Sequence, residues 1–286
     1  MTAADRNHRM ELQYDGSGLH GWAKQQGLPT VEGCLEAAFR TVLGGAPQMR
    51  VAGRTDAGVH ARRQVANVHL PAGSDLGQLL RSLNALTPPG IAVTRITPAP
   101  SAFDARKDAI RRVYRYFVFT DQVASPFWAR YCWQLRSGVD LAAMRECAAL
   151  VLGKHDFTAF TPRDSEHAFF DRLVFRCAWK RMRGGSSVGP PGVGRMPVYL
   201  EIEADAFLRH MVRALVGTMV EVGWGARTIA DFRRLLEGEP REGAGPTAPS
   251  HGLFLWDVRY RTMTGSRGAR GPGSRAPGQV TGSGAN

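Results

Sequence analysis

The chain has 286 residues, with 37 Lys and Arg against 25 Asp and Glu, for a formal charge of +12 at neutral pH. A hydrophobic fraction of 43% is that of an ordinary globular protein, and no apolar run approaches the roughly 18 residues of a membrane span, which argues against a membrane protein. The length fits one elaborated domain or two fused halves of roughly 100 to 150 residues. Positive charge on this scale suits a polyanionic partner through counterion release from phosphates, although arginine-rich composition also accompanies a GC-rich genome.

Residues 1–9 combine polar and charged side chains without an apolar segment or a small-residue cleavage site, so a cytoplasmic location is expected. Met10, Leu12 and Tyr14 alternate with Glu11, Gln13 and Asp15, the period of a half-buried strand. From Thr30 to Leu43 apolar residues recur at three and four, and Gly44-Gly45 stops the segment, which predicts an amphipathic helix. Strands at Gln48–Gly53 and Gln64–Leu70, a helix carrying Leu76, Leu79, Leu80 and Leu83, and a strand at Ile91–Ile96 complete a β-α-β-β-α-β order. That order is ferredoxin-like, with two helices on one sheet face and the other face free.

The second half reads similarly. A strand spans Ile110–Phe119, a helix Asp140–Leu152, strands Leu173–Met182 and Val198–Ala206, a long helix starts at Leu208, and a strand closes the fold at Leu253–Tyr260. Thr228–Leu236 adds a helix. Val198, Leu200, Ile202 and Ala204 alternate with Tyr199, Glu201, Glu203 and Asp205, so one face of that strand meets solvent or polar groups. Gly184–Gly194 reads as a long hairpin loop and residues 263–286 as a disordered basic tail. The expected organisation is an N-terminal half over 1–105, a C-terminal half over 106–262, and the tail. Cys34, Cys132, Cys147 and Cys177 show no metal-ligand spacing and are expected to be buried free thiols.

Gly16-Ser17-Gly18-Leu19-His20-Gly21 matches the G-x-G-x-x-G of dinucleotide sites, but Gly27 and Pro29 precede any helical period. A nucleotide cofactor is therefore not expected, and the glycines instead shape a loop of close approach. Gly53-Arg54-Thr55-Asp56-Ala57-Gly58-Val59-His60-Ala61 places one short acid among basic residues. It is either an ordinary polar turn or a catalytic loop, since a carboxylate kept ionised by a nearby guanidinium can serve as nucleophile or base. In Arg111-Arg112-Val113-Tyr114-Arg115-Tyr116 the period of two puts Arg112, Tyr114 and Tyr116 on one face. That face is either a platform for phosphates and bases or an aromatic core with arginines at its edge. Arg209 and Arg213 fall at i and i+4 of the helix predicted from Leu208. Arg213 either snorkels or pairs with a carboxylate, for which Asp56 is a candidate. His20, His155 and His251 form no ligand pattern and read as structural or surface residues.

Together these residues resemble the tRNA pseudouridine synthase A family. The resemblance runs to Tyr260 and includes Tyr14-Asp15-Gly16 with His20-Gly21-Trp22, the Gly53–Ala61 loop, Phe103-Asp104-Ala105-Arg106, Arg112-Val113-Tyr114-Arg115-Tyr116, Gly153–Phe157, Phe207–Arg213, Ala248-Pro249 and Gly252-Leu253. It implies an α+β fold of two ferredoxin-like halves sharing an antiparallel sheet around a basic cleft. It also implies isomerisation of uridine at positions 38, 39 and 40 of tRNA, in the anticodon stem-loop, by a homodimer without metal or organic cofactor. Asp56 would be the catalytic carboxylate, Tyr114 the tyrosine stacked on the target base, Arg213 the partner of the acid, and Arg54 the holder of the flipped nucleotide. The chain departs from the family at Ala23, where glutamine is usual, and at Lys107-Asp108, where an aromatic-serine pair is usual. A non-catalytic RNA-binding module with two RNA-recognition-like sheets is the alternative that fold and charge alone permit.

Overall fold

The computed structural model describes residues 5–120, 122, 126–165, 168–182 and 196–261. The predicted Gly184–Gly194 loop and the 263–286 tail lie outside them. The chain runs through β1 (Arg6–Tyr14), α1 (Val31–Leu43), β2 (Met49–Val51), β3 (His60–Leu70), α2 (Leu76–Leu86), β4 (Ile91–Pro98) and β5 (Ala109–Phe119). It continues with β6 (Trp133–Gln134), α3 (Leu141–Leu150), β7 (Gly153–Asp156), β8 (Asp171–Arg181), β9 (Val198–Ala204), α4 (Met211–Gly223), α5 (Ile229–Arg234) and β10 (Leu253–Tyr260).

Local chemistry sets the helix ends. Thr30 accepts a hydrogen bond from the Gly33 amide at the start of α1, and Gly44 ends it in the left-handed region at φ 74°. Asp75 and Asp140 cap α2 and α3 in the same manner, and Thr228 forms a reciprocal capping box with Asp231 at α5. Each such cap stabilises its helix by about 1 kcal/mol. The apolar stripe of α1 (Val31, Leu35, Ala38, Phe39) and Leu79 and Leu83 of α2 join Met10, Leu12 and Tyr14 of β1 in one continuous core. Helix α4 is different in kind, since its apolar residues surround the axis and all but two of its thirteen positions are buried.

Among the described residues ten strands form one sheet, in the order β4-β1-β3-β10-β5-β9-β8-β7, with β2 added to β3 and β6 to β5. Its ladders are mostly antiparallel. The pair that joins the two ferredoxin-like strand sets is parallel, with Phe254 beside His60 and Leu255 beside Ala61. The last strand thus lies at the centre of the sheet, beside the strand that follows the Asp56 loop.

The charged side of β9 is buried against other charges. Glu201 and Glu203 are 5% and 2% exposed. Glu201 receives Arg115 and Lys180, each at 2.6 Å, and Arg176 at 3.2 Å. Glu203 receives Arg111 and Arg259, each at 3.0 Å. Burial pushes the Glu201 carboxyl up, but the hydrogen bonds from Lys180 and Arg115 outweigh it and hold the group down at about 2. The sheet face left free in the first-half expectation is also partly covered. Asn7 on β1 donates to the carbonyls of Pro100 and Phe103, which pins residues 100–103 over it.

Candidate active site

Asp56 sits in the turn between β2 and β3, and the glycine-rich segment after β1 holds that turn. The Trp22 amide donates to the Thr55 carbonyl at 3.0 Å, and the Gly58 amide donates to Leu19 at 3.1 Å. Such contact requires that Gly16 and Gly21 carry no side chain. A β-carbon on Gly16 would lie 2.2 Å from the Val59 carbonyl oxygen, and one on Gly21, at φ 86°, would lie 2.6 Å from that of Thr55. The G-x-G-x-x-G pattern therefore builds the bed of the Asp56 loop, and the nearest helix, α1, begins only at Val31.

Side chains brace the same loop from beneath. The Tyr14 hydroxyl and Thr55 Oγ1 are 2.8 Å apart, and Gln64 Nε2 donates both to Tyr14 and to the Gly53 carbonyl. Burial raises the Tyr14 phenol to about 12. His60, 1% exposed, is held at both ring nitrogens: the Gly16 amide can only donate to Nδ1, and the His251 carbonyl can only accept from Nε2. This fixes the tautomer with its proton on Nε2. Burial lowers the His60 pKa, so the Asp15 carboxylate 3.1 Å from Nδ1 faces a neutral ring rather than an ion-pair partner.

The second half supplies what surrounds Asp56. Arg213, on the first turn of α4, places Nη1 3.6 Å from Asp56 Oδ2 while its Nε donates to the Ala248 carbonyl at 2.7 Å. The guanidinium therefore bridges the Asp56 loop to the 248–252 segment instead of snorkelling. Tyr114 on β5 is 9% exposed and meets Phe207 edge-on, with ring centroids 4.9 Å apart. Burial raises its phenol above the ordinary range, and the Tyr14 and Asp56 side chains add to the shift. Among the described residues no hydrogen bond engages the Tyr114 hydroxyl. Arg54 is exposed on the Asp56 loop and makes no hydrogen bond or ion pair among the described residues.

Thus Asp56, Tyr114 and Arg213 converge from three elements, with Arg54 at the rim. Two other sequence readings change. Arg112 is not offered to phosphates, because its guanidinium donates to the carbonyls of Ala52, Arg106, Ala109 and Asp205. The β5 face is an aromatic core strand. Helix α4 begins at Met211 rather than Leu208, because His210 adopts a left-handed conformation at φ 60° and interrupts the backbone. Arg209 therefore lies before the helix, where it pairs with Asp164 instead of sharing a face with Arg213.

His210 itself escaped the sequence reading. Its Nε2 lies 3.3 Å from Asp56 Oδ2. Its place inside the Phe207–Arg213 segment was the available signal, but hydrophobic periodicity does not report a left-handed residue. Burial, with the charges of Arg213, Arg209 and Arg241, lowers the His210 pKa, against the opposing pull of Asp56.

Among the described residues no group of three or more His, Cys, Asp or Glu side chains is arranged to hold a metal, and no helix is long and apolar enough to cross a membrane. Cys132, Cys147 and Cys177 are buried free thiols, whereas Cys34 is only half-buried. A cavity of about 560 Å³ lined by Arg9, Arg63, Phe103, Asp257, Arg259 and Tyr260 contains none of the four candidate residues.

The tRNA pseudouridine synthase family profile matches residues 147–261. The tRNA pseudouridine synthase A of Myxococcus xanthus is 36% identical over 273 residues, covering 96% of each chain. The chain belongs to the tRNA pseudouridine synthase A family. Its relatives from Syntrophotalea carbinolica and Roseiflexus sp. strain RS-1, under the same name, are 37% and 38% identical. They cover 88% and 89% of this chain and 95% and 91% of their own. The match to the Myxococcus relative covers nearly the whole chain, both sides of the β3–β10 seam included.

Proposed function

We propose that this chain is a tRNA pseudouridine synthase that isomerises uridine in the anticodon stem-loop at positions 38, 39 and 40, with Asp56 as the catalytic carboxylate. The observation that carries the reading is the meeting of Asp56 with Arg213, from opposite parts of the chain, in a family whose members bear that name. The reaction breaks the bond between C1′ and N1, turns the base, and joins C1′ to C5, which then loses its proton while N1 gains one. Atoms and electrons are conserved, so no redox partner or group donor is called for.

Placement supports each role that the resemblance implies. Asp56 either attacks C1′ or removes the 2′ proton, and both routes use a carboxylate open to the ribose. Tyr114, raised by burial and therefore a neutral phenol at physiological pH, offers a ring face for the base and a hydroxyl free to meet C5 chemistry. Arg54, exposed beside the acid, is suited to hold the phosphate of a nucleotide swung from its stack. Arg213 holds the carboxylate.

We also assign residues 1–105 and 106–262 to two halves, with the site at their junction, and expect a cytoplasmic homodimer. The test is tritium release from tRNA labelled at C5 of uridine, with no metal or cofactor added. Release accompanied by pseudouridine supports the synthase, and tight tRNA binding without release supports a non-catalytic module.

A further inference from the structure

Among the described residues, the two side-chain contacts to the Asp56 carboxylate meet one oxygen. His210 Nε2 and Arg213 Nη1 approach Oδ2, at 3.3 and 3.6 Å. Among the described residues no hydrogen bond or ion pair engages Oδ1, and the side chain is 36% exposed.

The backbone at His210 is costly for a residue with a β-carbon. At φ 60° it is the only non-glycine residue with positive φ among the described residues. Glycine adopts this region without strain, and asparagine is the least hindered of the rest. The turn is also held independently of the ring, since Met211 donates to Leu208, Ala214 donates to the His210 carbonyl, and Thr161 Oγ1 donates to the Arg209 carbonyl. An imidazole kept where glycine fits better, and aimed at the acid, fits the pattern of strain held at functional positions.

The charged groups facing the ring are Asp56 on its loop, Arg209 and Arg213 on either side of it in the chain, and Arg241 from the segment after α5. Three guanidiniums and burial outweigh one carboxylate, so the ring is neutral at physiological pH. A carboxylate can only accept, so the Nε2 that faces it carries the proton.

Resting on the reading of Asp56 as the catalytic carboxylate, we propose that His210 is a positioning residue. With Arg213 it holds Asp56 Oδ2, turning Oδ1 toward the ribose as the oxygen that reacts. Two contacts on one oxygen, at 3.3 and 3.6 Å, favour one rotation of the carboxylate. Protonating the imidazole at acid pH would draw charge toward Oδ2 and weaken Oδ1 as nucleophile or base.

The experiment compares the wild-type chain with His210→Gly, which keeps the left-handed turn and removes the ring, and His210→Asn, which tolerates the turn and keeps a shorter N–H donor. Steady-state tritium release on one transcribed tRNA is followed across pH, with thermal melting in parallel. The glycine variant is expected to melt at or above the wild-type temperature and keep its KM within about twofold. Its kcat is expected to fall about 10- to 100-fold, the size of one hydrogen bond to a charged group, with asparagine between the two. The acid limb of the wild-type kcat profile, below the ordinary histidine range, is expected to vanish in the glycine variant. Wild-type kcat and an unchanged pH profile in His210→Gly overturn the proposal, as does a rise in KM alone. If glycine does not fold, an asparagine variant that folds with wild-type kcat and an unchanged acid limb overturns it equally. An inactive wild-type chain overturns the synthase reading and this inference together, whereas an active wild type with an indifferent glycine variant overturns this inference alone.

Discussion

Gly16 and Val59 are packed backbone against backbone, so closely that a β-carbon on Gly16 would lie 2.2 Å from the Val59 carbonyl oxygen. The atom it would strike belongs to the main chain of the Asp56 loop, which has no flexible side chain to yield. Gly16→Ala is therefore expected to displace the loop, lowering unfolding stability by about 2–4 kcal/mol and kcat by more than tenfold. Denaturant titration and tritium release check the two effects. Gly18, with nothing within 4 Å of its β-carbon position, is the control: Gly18→Ala meets only the strain of φ 76° and is expected to cost about 1 kcal/mol with the loop in place.

Arg213 works at two ends, with Nε on the Ala248 carbonyl and Nη1 toward Asp56. Lysine has one nitrogen and cannot reach both acceptors. Arg213→Lys is expected to lower single-turnover pseudouridine formation about 10- to 100-fold, whereas a side chain that merely carried charge would retain most of the rate.

Tyr114 separates stability from chemistry. Its hydroxyl has no hydrogen-bond partner among the described residues, while its ring packs against Phe207. Tyr114→Phe keeps the packing, so stability is expected to stay within about 1 kcal/mol of wild type while kcat falls. Equal loss of both would assign the hydroxyl to the fold instead.

Glu201 gives the fold an acid-sensitive element away from the site. Its folded pKa is depressed to about 2 from an ordinary 4.5, so its contribution is complete above 4.5 and is lost as pH falls toward 2. Glu201→Gln leaves Arg115, Arg176 and Lys180 without their shared negative charge and with one acceptor oxygen in place of two. Because Arg176 and Lys180 are 53% and 38% exposed, water relieves part of the loss. A cost of about 2–3 kcal/mol at neutral pH is expected. Urea titrations across pH should show that deficit shrinking below pH 4.5.

Much of the fold was legible because it rests on local chemistry. Thr30 and Gly44 bracket α1 where the apolar period begins and stops, and the alternation in Val198–Ala204 marks β9. What alternation alone left open was the surroundings of Glu201 and Glu203: they face cations from β5, β8 and β10, and those neighbours are set by strand order. The parallel seam of β3 with β10 was hidden for the same reason, since it joins distant segments through two residue pairs. At the site, Asp56 stood out by its arginine neighbours, and the geometry brings Arg213 and Tyr114 to it. His210 stayed hidden because a left-handed histidine leaves no trace in periodicity, and the same residue displaced the start of α4 from Leu208 to Met211.

The most direct measurement is pseudouridine formation by Asp56→Ala on unmodified tRNA, beside wild type, with circular dichroism and tRNA binding as checks of fold and substrate engagement. Asp56 is half-buried in the turn between β2 and β3 and is not among the core residues, so the variant is expected to fold, bind tRNA and form no pseudouridine. Continued formation of pseudouridine by the folded variant would contradict the assignment of Asp56 and the site built around it.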